Sequence, residues 1–99
     1  MYVIIWEFQL NNSAEKEFTG AYGSQGIWTS FFKKGEGYVR TELLHDTVKP
    51  HRYVTIDYWL SKEAYETFRA QYADEYKAID LKCELLTVHE AHLGSFIIK

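Results

Sequence analysis

Asp57 is the most chemically suggestive residue in the chain. It sits in RYVTIDYWL, residues 52 to 60, where it alternates with apolar neighbours in a pattern that predicts a strand. A carboxylate in that setting must be paired or have its pKa raised, and a raised value suits a proton acceptor working near neutrality. Two readings of Asp57 follow: a base, or a structural group tied to Arg40 or to tyrosine hydroxyls within the sheet. Histidine is the other natural base at this pH, and the sequence offers His45, His51, His89 and His92. His45 closes a predicted strand and could stand at a cavity mouth, while His51 falls in a loop. His89 and His92 are three apart, which in a strand places them on opposite faces with no third ligand, so a metal site is not expected.

Aromatic residues form the second constellation. Three Trp, eight Tyr and six Phe in 99 residues bring more ring area than a core of this size usually requires. Trp6, Trp28, Phe32, Trp59, Phe68, Tyr72 and Tyr76 could line a flat pocket that holds an aromatic ligand by burial and stacking. The same rings could instead fill a core. No GxSxG, P-loop, HExxH or dinucleotide fingerprint occurs, which removes the common hydrolase, nucleotide and nicotinamide classes. The net charge of −3, with both signs interspersed, leaves no basic footprint for nucleic acid or anionic membranes. The opening segment MYVIIWEFQL lacks the basic start and cleavage site of a signal peptide, and no stretch approaches membrane-spanning length; the expectation is a cytoplasmic protein. The lone Cys83 falls in a predicted strand and reads as a buried, inert thiol.

The elements that must position these groups follow from periodicity. Residues 2 to 10 alternate with both faces largely apolar, as a central strand does. Asn12 and Glu15 have capping-box spacing and predict a helix start, and Phe18, Tyr22, Trp28, Phe31 and Phe32 continue a helical period. Glycines in GAYGSQG split that helix into two pieces, and KKGEG, residues 33 to 37, ends the second. Residues 38 to 46 and 52 to 60 read as a hairpin with a long loop. Ser61 then caps a helix whose Tyr65, Phe68, Tyr72, Tyr76 and Ile79 form one stripe. A last strand is expected near residues 82 to 90, followed by an apolar tail, HLGSFIIK.

This order, strand, helix, strand, strand, helix, strand, defines an α+β class with ferredoxin-like βαββαβ topology across residues 1 to 99. It implies an antiparallel four-stranded sheet with helices on one face. The other face would expose Val54, Ile56, Tyr58 and Leu60, and such a patch predicts an interface.

With the order in place, RYVTIDYWLSKEAYETF, residues 52 to 68, resembles the strand-to-helix signature of the antibiotic biosynthesis monooxygenase (ABM) superfamily. The pattern is an acidic residue, an aromatic, then Trp before a Ser-capped helix, here Asp57, Tyr58, Trp59 and Ser61. YVIIWEFQL and GYVRTELLHD resemble the same family. The resemblance implies a dimeric α/β barrel, with two sheets packed face to face and a cavity between sheet and helices in each protomer. It also implies a cofactor-independent monooxygenase acting on an aromatic or polycyclic phenol, with no cofactor or metal. On that reading Asp57 or His45 is the base, Trp59 matches the family tryptophan, and Tyr72 and Tyr76 donate to developing charge. Trp6, Trp28, Phe32, Phe68 and Tyr76 would hold the substrate. The alternatives are a non-enzymatic dimeric small-molecule-binding or stress-associated barrel, and a haem-binding or haem-degrading protein. Against haem, Trp6 stands where haem-degrading members place asparagine, and the second helix has no histidine, with Tyr76 nearest to its place.

Overall fold

The computed structural model describes residues 1–99. Four strands form one antiparallel sheet in the spatial order β2, β3, β1, β4: β1 is Tyr2–Leu10, β2 Tyr38–His45, β3 Arg52–Trp59 and β4 Thr87–Ile97. The two most apolar strands, β1 and β3, therefore occupy the middle, where both edges are paired and both faces can be covered. Helices α1 (Glu15–Tyr22), α2 (Ile27–Phe32), α3 (Lys62–Gln71) and α4 (Ala73–Cys83) supply the second layer. The α+β, ferredoxin-like expectation holds. No helix is long and apolar enough to cross a membrane.

Local chemistry accounts for some element ends. Ser61 Oγ accepts a hydrogen bond from the Ala64 N–H at 3.1 Å and caps α3, as expected. The break between α1 and α2 falls within the glycine-rich segment. Gly37 has φ +91°, a conformation that strongly favours glycine, and a Cβ on Gly35 would lie 2.7 Å from Phe68 and 2.9 Å from Trp59. KKGEG thus lets the backbone lie directly on the aromatic core.

Three expectations need correction. The helix does not open with an Asn12 capping box; Ala14 occupies the N-cap with no side-chain hydrogen bond, and its own N–H bonds the Asn11 carbonyl at 3.1 Å. The long second helix is broken at Tyr72 (φ −115°, ψ 30°) into α3 and α4, with no Pro or Gly there to mark it. Residues 82 to 86 are not strand. They complete α4 and a 3-10 turn, Glu84–Leu86, because Ile79, Cys83 and Leu86 keep helical spacing and pack into the core. Cys83 is accordingly buried at a helix end. The apolar tail becomes strand instead: Phe96 pairs with Val3 and Ile97 with Tyr2 along β1.

The core lies between sheet and helices and is mostly aromatic, with Ile4, Leu10, Ile79 and Cys83 completing it. Trp59, Phe18 and Phe68 are its most completely buried large side chains. Phe18 stacks on Tyr22 at 4.3 Å, and Trp59 meets Phe68 at 5.1 Å and Tyr38 at 5.3 Å, within the range where ring pairs attract beyond their area.

Candidate functional site

β3 alternates strictly, so Tyr53, Thr55, Asp57 and Trp59 face the helices while Val54, Ile56 and Tyr58 face away. On the helix side, β1 adds Trp6 beside Thr55 and Phe8 beside Tyr53. A cavity opens there between sheet and helices. Its floor is Thr41, Thr55, Asp57, Trp6, Phe8 and Glu90, and its roof is Tyr22, Trp28, Phe32, Tyr76 and Asp80. Tyr76 and Asp80 are four apart on α4 and so share one helix face. The free volume is about 40 Å³, enough for a few water molecules and too little for a polycyclic ligand while the walls stand as they do.

Asp57 is the cavity's most buried acid, with 8% of its surface exposed. One carboxylate oxygen, Oδ1, accepts a hydrogen bond from Thr41 Oγ1 at 2.6 Å, and no arginine or lysine pairs with it. Arg40 points to the other face, with its guanidinium over the Tyr58 ring at 3.9 Å. Burial pushes the Asp57 pKa up to about 6, and the Thr41 hydrogen bond only partly opposes the shift. The raised pKa expected from sequence is present, while neither the Arg40 pair nor a direct tyrosine hydrogen bond is formed.

Other groups around the cavity are perturbed in the same direction. Glu90 is raised by burial and then by the nearby Asp80. Tyr76 is held far above its usual range, first by burial, and Arg69 lies over its ring at 3.8 Å. Trp28 Nε1–H is buried without a hydrogen-bond partner of regular geometry, although the Tyr22 hydroxyl and Cys83 sulfur lie near it. An unsatisfied buried donor on a cavity wall is costly, and an acceptor entering the cavity is one way to relieve that cost.

Of the residues singled out from sequence, the fold brings Trp6, Trp28, Phe32, Asp57 and Tyr76 together. Trp59 lies under α3, packed against that helix's Phe68, and both stand away from the cavity lining. Trp59 Nε1–H also has no partner. Tyr72 packs on Phe68 at 5.2 Å and lines a surface groove with Lys34. His45 stacks on Tyr53 at 4.2 Å, and its Nε2 lies 2.9 Å from the Pro50 carbonyl oxygen, outside the cavity. Sequence reasoning missed Phe8, Tyr22, Thr41, Thr55, Asp80 and Glu90. Thr41 was within reach, since counting back from the hairpin loop sets it opposite Asp57. Glu90 was hidden by the misplaced final strand.

The helices from Lys62 to Cys83 carry no histidine, and no group of three or more His, Cys, Asp or Glu side chains is arranged to hold a metal ion.

No protein-family model and no curated protein matches the chain. Solved structures do. The chain superposes on SnoaB, a cofactor-independent oxygenase from Streptomyces nogalater, with a TM-score of 0.80 at 23% identity, covering 99% of this chain and 92% of that one. A Bordetella bronchiseptica protein described as an antibiotic biosynthesis monooxygenase gives 0.76 at 15% identity, with 99% and 96% covered. A mutant MhuD with two manganese protoporphyrin IX molecules bound per active site gives 0.74 at 17%, with 99% and 94% covered. The resemblance drawn from residues 52 to 68 therefore holds at the level of fold: the chain has the α+β fold of the ABM proteins.

Proposed function

We propose that the protein is a cofactor-independent monooxygenase of an aromatic or polycyclic phenolic molecule, working as a homodimer paired through its open sheet face. The observation that carries this reading is Asp57, a buried, unpaired carboxyl with a pKa of about 6 on the wall of an aromatic cavity. Such a group is largely ionised at neutral pH and basic enough to take a proton from an oriented phenol. The likeness to SnoaB adds the reaction class.

In this reading Asp57 takes the phenolic proton. The phenolate passes one electron to dioxygen, and the radical pair joins at a ring carbon as a peroxide. Asp57 returns the proton to form the hydroperoxide, which loses water and leaves one oxygen as a new carbonyl. The Tyr76 hydroxyl and Trp28 Nε1–H are the donors available to the developing charge, and the rings exclude water and hold the substrate plane. Trp6 and Tyr76 are only half-buried, so they are the walls that must turn to admit a ring system. The dimer reading rests on Leu44, Val54, Ile56, Ile5, Val3 and Phe96, which form a continuous apolar band on the open face.

Oxygen uptake with anthrone and dihydroxynaphthalenes is the test. Wild-type turnover should rise as pH passes about 6, and Asp57→Asn should lose it at least ~100-fold. A wild type silent across a broad phenol panel overturns the proposal. The small free volume of the cavity favours a second reading, a dimeric binding module without chemistry. Tryptophan quenching by the same phenols, with no oxygen consumed, would establish it.

A further inference from the structure

Thr41 faces two spaces. It lines the aromatic cavity beside Asp57, and it also lines a separate depression of about 110 Å³ at the β2 edge, together with Tyr38, Lys33 and Arg40. Its hydroxyl lies 2.6 Å from Asp57 Oδ1 and 2.8 Å from the Tyr38 hydroxyl. A threonine hydroxyl has a single hydrogen. With that hydrogen given to the carboxylate, the Tyr38 O–H must be the donor to Thr41, so every hydrogen in the chain points inward while Asp57 is ionised.

We propose that Thr41 and Tyr38 form a hydroxyl relay that positions Asp57 and carries its proton between the cavity and the solvent-facing depression at the β2 edge. Asp57 Oδ2 makes no hydrogen bond within the protein and is the oxygen free to meet a ligand. A proton taken there moves to the relay side when the carboxyl turns by half. Asp57 Oδ2–H then donates to Thr41, Thr41 donates to Tyr38, and Tyr38 releases its own hydrogen to water, so one proton enters as one leaves. The relay gives Asp57 access to solvent while a ligand closes the cavity mouth. Its catalytic use rests on the reading of Asp57 as the base, but the relay itself does not require turnover.

The titratable groups facing Asp57 are Tyr38 on β2 and Tyr65 and Tyr76 on α3 and α4, with Asp80 and Glu90 elsewhere on the cavity wall. The experiment follows the Asp57 carboxyl by NMR in ligand-free protein carrying ¹³C-labelled aspartate. Thr41→Val should move its titration midpoint upward by about half a unit or more, because the ionised form loses its hydrogen-bond donor, and Thr41→Ser should restore it. Tyr38→Phe keeps that donor, so it should move the midpoint less while slowing proton exchange at least about tenfold. Exchange in Tyr38→Phe at the wild-type rate overturns the relay, as does a Thr41→Val midpoint that stays in place. A protein that oxidises no phenol yet shows these shifts retires the enzyme reading and keeps the relay. Turnover that needs Asp57 while Tyr38→Phe exchanges normally does the reverse.

Discussion

On the helix-covered face of β3, Tyr53, Thr55, Asp57 and Trp59 are nearly shut off from solvent, whereas their alternating neighbours Val54, Ile56 and Tyr58 are only half covered. The acids near the two faces differ accordingly. Asp57 has a threonine partner and no cation, and burial raises its pKa to about 6. Asp46, just beyond β2, accepts the Lys49 and Val48 backbone N–H groups and pairs with Arg52, and these contacts lower its pKa to about 2. Arg52 also bonds Glu7 on the open face at 2.7 Å. One side of the sheet neutralises its charges and carries apolar area; the other leaves a carboxyl unneutralised among rings. On the proposed function, that division would put association on one face and chemistry on the other.

Four substitutions break or sharpen the contrast. Trp59→Ala removes a side chain with no exposed surface and should cost about 3–5 kcal/mol in the denaturant midpoint. A loss under ~1 kcal/mol would mean that the aromatic core is not where stability resides. Ile56→Lys, one strand neighbour of Asp57 but on the open face, should leave the fold intact. It should weaken self-association by about 100-fold or more in sedimentation, since a desolvated, unpaired charge at an interface costs several kcal/mol. Unchanged association would move the interface elsewhere.

Asp57→Asn tests the site through stability. The folded pKa of about 6 lies above the 3.8 of an unperturbed carboxyl. The native state therefore binds the extra proton between those values, and wild-type stability should fall as pH rises from about 4 to about 6 and then level off. The asparagine variant should lack that fall. It should be more stable than wild type at pH 7 by about 1–3 kcal/mol and nearly equal to it below pH 4. Thermal melts across this range decide it, and a variant no more stable at neutral pH would refute the burial argument. The smallest effect belongs to Arg52→Gln. Its ion pairs with Glu7 and Asp46 are partly exposed, so the loss should stay below ~1 kcal/mol and shrink in added salt.

Much of this molecule was legible from its chain. The order of elements, the central places of β1 and β3, the Ser61 cap, the split first helix and the opposed faces of β3 all follow from residue spacing, because alternation, helical period and capping act over a few neighbouring residues. Asp57 could be recognised as a buried acid for the same reason. The final strand was misjudged because residues 82 to 86 carry an apolar period that serves a helix end as well as a strand, and docking onto the core settled it as helix. The partners of Asp57 were a tertiary matter. Pairing of β2 with β3 set Thr41 against it, pairing of β4 with β1 brought in Glu90, and packing of α4 laid Tyr76 and Asp80 overhead. The same packing left Trp59, Tyr72 and His45 outside the cavity. Those contacts depend on strand register and helix placement across long stretches of chain, and no local spacing rule specifies either.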